Sequence, residues 1–275
     1  MSLNCTRASL SGVTIADALG GDDITDLGDG GGILASGDGC ITPFTISVKG
    51  STFLRNFTAN QGGALASNQG GEDVDDAFEG FKITNSMFEA NVADGGAAIN
   101  VDGERTLSIT RSTFVENEAG DGGALELCGP EVVISRSRFE GNIAATSSGA
   151  IQASCNDGAL TITRSRFIAN ESGSNVGAVY LGVYESRLTS NLFRNNHAAE
   201  SGGAIGAIIV GISDSDYFSR WRANRFNGNT AGLAAAHFWI DYVLLGEASS
   251  EAELLRILTR GAADISPRID WLVQY

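Results

Sequence analysis

Apolar and polar residues alternate in short runs along most of the chain, and each run is followed by the same few residues. In LSITRSTFVENEAGDGGALEL (107–127), Leu107 and Ile109 alternate with Ser108 and Thr110. A polar turn then leads to Phe114-Val-Glu-Asn117, a small-residue turn and Gly122-Gly123-Ala124-Leu125. Period-two alternation predicts strands, because successive side chains on a strand point to opposite faces. The same order returns in TISVKGSTFLRNFTANQGGALAS from Thr45, FKITNSMFEANVADGGAAINV from Phe81, VVISRSRFEGNIAATSSGAIQA from Val132, LTITRSRFIANESGSNVGAVYL from Leu160 and SRLTSNLFRNNHAAESGGAIGA from Ser186. A worn copy surrounds WRANRFNGNTAGLAA, and residues 9–36 read as a worn first copy ending in Gly31-Gly32-Ile33-Leu34.

Aligning the copies sets Phe53, Phe88, Phe114, Phe139, Phe167, Phe193 and Phe226 in one column. Three residues later stand Asn56, Asn91, Asn117, Asn142, Asn170, Asn196 and Asn229. The phenylalanines are 25–28 residues apart, except for spacings of 35 and 33 where extra residues fall near 66–80 and 206–220. A period in the twenties suits a parallel β-helix or a leucine-rich repeat. The L-x-x-L-x-L run of the latter is missing, and the alternation is that of strands. The predicted fold is therefore all-β: a right-handed parallel β-helix of about eight coils, with strands stacked about 4.8 Å apart. Stacked phenylalanines would fill its interior, each burying apolar surface worth about 2–3 kcal/mol. The asparagines are expected at a corner where a non-glycine residue needs the left-handed conformation, each side-chain amide bonding to the one above. On this reading the most repeated residues are architectural.

The end of the chain breaks the pattern. Ser249-Ser250-Glu251-Ala252-Glu253 ahead of Leu254, Leu255, Ile257 and Leu258 predicts a capped amphipathic helix. The division expected is a β-helix over 1–240 and a capping or docking segment over 241–275, because an open solenoid end exposes core and unpaired strand edges.

Composition narrows the function. Thirty-six glycines with only three prolines point to tight turns and close backbone stacking. A net charge of −15 argues against general nucleic-acid binding. No apolar run approaches the roughly 18 residues of a membrane-spanning helix. No charged segment followed by an apolar core opens the chain, so no signal peptide is expected. Cys5, Cys40, Cys128 and Cys155 show no zinc-like spacing. Cys128 and Cys155 follow equivalent turns of neighbouring copies and could form a disulfide, or remain free thiols. Two of three glycosylation sequons, at Asn56 and Asn170, fall in the asparagine column, where a glycan would break the stack; the one at Asn4 does not.

The paired FxxN and GGA[ILV] motifs resemble those of the chlamydial polymorphic outer membrane proteins and related pectate-lyase-like β-helix proteins. They are carried by Phe88-Glu-Ala-Asn91 with Gly95-Gly96-Ala97, by Phe114-Val-Glu-Asn117 with Gly122-Gly123-Ala124-Leu125, and by Phe193-Arg-Asn-Asn196 with Gly202-Gly203-Ala204-Ile205. The resemblance covers about residues 9–235. It implies a passenger domain for adhesion or surface display, hence a secreted or cell-surface location. The C-terminal membrane barrel of that family is not visible in the chain.

Candidate chemistry lies outside the repeated columns. Arg111, Arg136 and Arg164 stand three residues before the phenylalanines of successive copies, with Arg138 and Arg166 one residue before and Arg225 further along. Such a stripe must face solvent, and its guanidinium forks suit the carboxylates or sulfates of an acidic glycan. The simpler account pairs it with Glu116 and Glu140. Asp22, Asp23, Asp26 and Asp29, with Glu72, Asp73, Asp75 and Asp76, are candidate calcium ligands, though solvated loops explain them equally. His197 and His237 are the only histidines, and no nucleophile motif accompanies them. The expectation is a non-catalytic binding or structural module without a required cofactor, its partner a protein or an acidic polysaccharide. The alternatives are a calcium-dependent polysaccharide lyase and an accessory subunit of a larger assembly.

Overall fold

The computed structural model describes residues 2–4, 7–20, 30–36, 43–67, 78–103, 105–128, 131–154, 158–183, 185–210, 221–233, 238–243 and 273–274. Every strand pairing in it is parallel, and each strand pairs with its counterparts one repeat earlier and later. Four sheets result, of seven, eight, six and ten strands. One repeat supplies a strand to each in turn: Thr106–Thr110, Thr113–Val115, Glu118–Asp121 and Leu125–Leu127. This is a parallel β-helix. Among the described residues there is no helix. The capping helix expected over 249–258 lies outside them. The ten-stranded sheet continues through Phe238–Val243, paired with Ile205–Val210, to Val273–Gln274.

The alternation read from sequence sets which residues enter the core. Leu107 and Ile109 are buried, whereas Ser108 and Thr110 remain partly exposed; Val132/Ile134 and Leu160/Ile162 repeat the pattern on the neighbouring strands. Phe53 through Phe193 are fully buried, and Phe226 closes the column partly buried. Their rings lie nearly parallel, with centroids 4.7–5.1 Å apart from Phe53 to Phe226. That spacing is the strand spacing of the sheet, so the backbone repeat itself brings the rings into contact.

The asparagine column forms a continuous ladder. In each rung the side-chain oxygen accepts both the backbone N–H and the Nδ2–H of the asparagine one coil earlier, as Asn142 Oδ1 does from Asn117 at 3.1 and 2.9 Å. From Asn91 to Asn229 each Nδ2 also donates to a phenylalanine carbonyl, as Asn142 does to Phe114 O at 3.1 Å, while Asn56 donates to Ile15 O. The corner does carry a left-handed residue, but it is not the ladder asparagine. The positive φ falls one residue earlier, on Arg55, Ala90, Glu116, Gly141, Ala169, Asn195 and Gly228. The asparagine is selected for its amide, which satisfies the corner backbone, and not for its tolerance of the left-handed region.

A second ladder runs beside the first. Ser51, Ser86, Ser112, Ser137 and Ser165 are buried, and each Oγ accepts the backbone N–H of its counterpart one coil earlier, as Ser137 does from Ser112 at 3.2 Å. It ends on Asn191 and Asn224, whose longer side chains keep the same bond to the preceding coil and reach a carbonyl as well. The Gly-Gly-Ala turn has a steric cause: a Cβ on Gly149 would lie 2.3 Å from Gly177 O. Only glycine lets the coils approach that closely there.

Candidate functional site

The four sheets meet at corners, and one corner carries the arginines. Between the sheet of Thr106–Thr110 and the sheet of Thr113–Val115 the chain turns on a single left-handed residue. In successive coils this is Gly50, Asn85, Arg111, Arg136, Arg164, Ser190 and Ala223, all with φ near +50 to +60°. The turns stack through backbone bonds of 2.9–3.0 Å, from Arg111 N to Ser135 O, Arg136 N to Thr163 O and Arg164 N to Thr189 O. Arg111, Arg136 and Arg164 therefore project from an outward edge, one coil apart, and all are exposed. Arg138 and Arg166 are register partners on the adjoining sheet, also exposed, in line with Leu192 and then Arg225.

Pairing with nearby glutamates accounts for only one of these arginines. Arg138 forms an ion pair with Glu140. Among the described residues, Arg111, Arg136, Arg164 and Arg166 have no ion pair. Arg55, by contrast, grips Asp17 with two bonds of 2.7 and 2.8 Å, and this holds the Asp17 carboxyl below its ordinary range. Arg111, Arg136, Arg164 and Arg166 thus form a row of guanidiniums without ion pairs among the described residues, on a protein of net charge −15.

The remaining expected sites are resolved unevenly. Asp22, Asp23, Asp26, Asp29 and the group at 72–76 lie outside the described residues, as does His237. Among the described residues no three His, Cys, Asp or Glu side chains are grouped to hold a metal ion. His197 hydrogen-bonds Thr230 Oγ1 through Nδ1 at 2.8 Å on the neighbouring coil. Cys128 is disulfide-bonded, which removes the free-thiol alternative for that residue; Cys155 lies outside the described residues. Asn56 and Asn170 are fully buried within the ladder, so neither sequon presents an accessible amide. Among the described residues no helix is long and apolar enough to cross a membrane.

One polar group was not anticipated. On the sheet of Leu125–Leu127, Glu126 stands directly beside Asn100 of the preceding coil, and Asn100 Nδ2 donates to Glu126 Oε2 at 3.3 Å. Sequence shows Glu126 only as the polar member of a Leu-Glu-Leu alternation. Burial, with the charges of Asp121, Asp102 and Asp94, pushes its carboxyl up to about 7.

The class defined by these features is a repeat-built parallel β-helix whose core residues serve the architecture and whose outer corner carries an arginine row. Residues 192–208, which contain Phe193, Asn196 and Gly202-Gly203-Ala204-Ile205, match the family model described as the Chlamydia polymorphic membrane protein repeat. The chain resembles the β-helical passenger domains of those proteins. No curated protein and no solved structure matches it.

Proposed function

We propose that this chain is a non-catalytic surface-display or adhesion module that binds an acidic glycan along the edge formed by Arg111, Arg136 and Arg164, with Arg138 and Arg166 flanking it. The observation that carries the reading is where the arginines stand. A left-handed backbone costs a side-chain-bearing residue roughly 1–2 kcal/mol, and glycine or asparagine fills such positions more easily. The same corner uses Gly50 and Asn85 in earlier coils, yet three consecutive coils place exposed arginine there without an ion-pair partner among the described residues. Neither the turn nor a local ion pair accounts for that choice; an external anion does.

The edge is convex. It suits a linear polymer lying along the solenoid axis, with one guanidinium offered per coil. This supports binding over the lyase-like alternative, which needs convergent carboxylates beside an arginine in a groove. The resemblance to surface proteins of the polymorphic membrane type supports a secreted or cell-surface setting. The accessory-subunit alternative rested on residues 254–258, which lie outside the described residues.

Binding to heparin and to polygalacturonate, measured at low and moderate salt with calcium and with chelator, tests the proposal. Salt-sensitive binding that survives chelation is expected. The double substitution R136A/R164A should weaken it about tenfold or more, as expected for lost charge-assisted hydrogen bonds. Unchanged affinity in that variant, or no binding to either polymer, would sink the arginine-edge reading.

A further inference from the structure

The group around Glu126 lies on the ten-stranded sheet, whereas the arginine edge joins the seven- and eight-stranded sheets. Its carboxyl folds back over the preceding coil into a notch left by Gly95. A Cβ at that glycine would stand 1.9 Å from Glu126 Oε2, so the carboxyl occupies the space that a side chain there would take. Asn100, the register partner of Glu126, is 3 % exposed. Its Nδ2 donates to Glu126 Oε2, but its Oδ1 is a buried acceptor without a hydrogen-bond donor among the described residues. Such an atom normally finds a partner, because leaving it bare forfeits its hydration. Among the described residues the charged groups bearing on Glu126 are all negative: Asp121 and Asp94 from the sheet of Val92–Gly95 and Glu118–Asp121, and Asp102 from the turn after Ile99–Val101. Arg105 reaches the backbone carbonyl of Asp102. Gln152, next on the same outer column, is neutral and accepts from Ser147 Oγ at 2.7 Å.

An ionised Glu126 has no hydrogen to give, and three carboxylates oppose its charge. A protonated Glu126 answers both conditions. Its Oε2 still accepts from Asn100 Nδ2, and its second oxygen carries a hydrogen that can be donated to Asn100 Oδ1. Acid and amide then close a cyclic pair of two hydrogen bonds. From this geometry we infer that Glu126 and Asn100 form a proton-binding site that latches one coil to the next, closed when Glu126 takes up a proton from solvent and opened when it loses it. The upward displacement of the Glu126 carboxyl to about 7 places the change near neutrality. For an acid raised from 4.5 in the unfolded chain, the folded state holds the proton more tightly. Stability is therefore full in acid, falls as pH rises from about 4.5 through about 7, and is level above that.

E126Q keeps one donor and one acceptor at the same place and mimics the closed latch at every pH. Urea unfolding of the full chain and of E126Q should give matching stabilities at pH 5. Between pH 5 and 8 the folding equilibrium of the unaltered protein should weaken on the order of 100-fold relative to E126Q. Carbon-13 NMR of glutamate-labelled, unaltered protein provides a second reading that does not depend on the variant folding: one glutamate carboxyl should titrate close to pH 7. Parallel stability profiles, or every glutamate titrating in the ordinary acid range, would overturn the latch. So would millimolar calcium restoring the unaltered protein at pH 8 without affecting E126Q, since the group would then be a cation site.

Discussion

Replacing Asn142 by alanine is expected to destabilise the protein by about 3–5 kcal/mol. The side chain is fully buried and makes four hydrogen bonds: it accepts from Asn117 N and Nδ2, and donates to Asn170 Oδ1 and Phe114 O. Alanine leaves two donors without an acceptor, while Phe114 O and Asn170 Oδ1 each lose the bond from Asn142 Nδ2; Asn170 Oδ1 keeps the one from Asn142 N. Each group left bare in a buried site costs about 1–3 kcal/mol, offset where water enters. Urea unfolding at neutral pH measures the loss, and a change below about 1 kcal/mol would show that the ladder is incidental to stability. N142D provides a sharper test. An aspartate still accepts from Asn117, but its charged form faces two acceptors it cannot serve. N142D should therefore be less destabilised at acid pH, where its carboxyl can carry a proton, than at neutral pH.

The second large effect concerns the aromatic column. Phe139 is fully buried, with its ring centroid 4.7 Å from that of Phe114 and 4.9 Å from that of Phe167. Phe139→Ala removes apolar burial and opens a cavity between two rings held in place by their own strands, so collapse cannot fill it. The expected loss is about 3–5 kcal/mol. F139L retains most of the volume and should cost less. Hydrogen exchange followed strand by strand would show whether the loss stays with the neighbouring coils, as expected where each repeat contacts only its neighbours. Equal stability of F139A and the unaltered protein would contradict the continuous core.

Much of this fold was legible in the sequence because a stacked repeat writes its environment into a column. Phe114 is packed above and below by phenylalanines, and Asn117 by asparagines, so residues 25–28 apart report on one another directly. The serine ladder is a column of the same kind, but its role was not legible. Ser51, Ser86, Ser112, Ser137 and Ser165 each stand two residues before a phenylalanine, in a turn that reads as merely polar until its buried hydrogen bonds are seen. The arginine row was legible as a set of positions. Its conformation was not: nothing in Thr-Arg-Ser or Ser-Arg-Ser says that the arginine carries the left-handed turn.

Sequence alone determined the period, the parallel stacking and the identity of the two most repeated columns, because these follow from local alternation compounded by repetition. Tertiary structure decided which corner residues take positive φ, which arginines remain unpaired, and what Glu126 meets. Those depend on contacts across coils between unlike residues. Asn100 lies 26 residues before Glu126, and Gly95 matters through the side chain it lacks. A column of identical residues announces its own neighbours; a single carboxyl set between an amide, a glycine and three aspartates acquires its chemistry only when the coils are stacked.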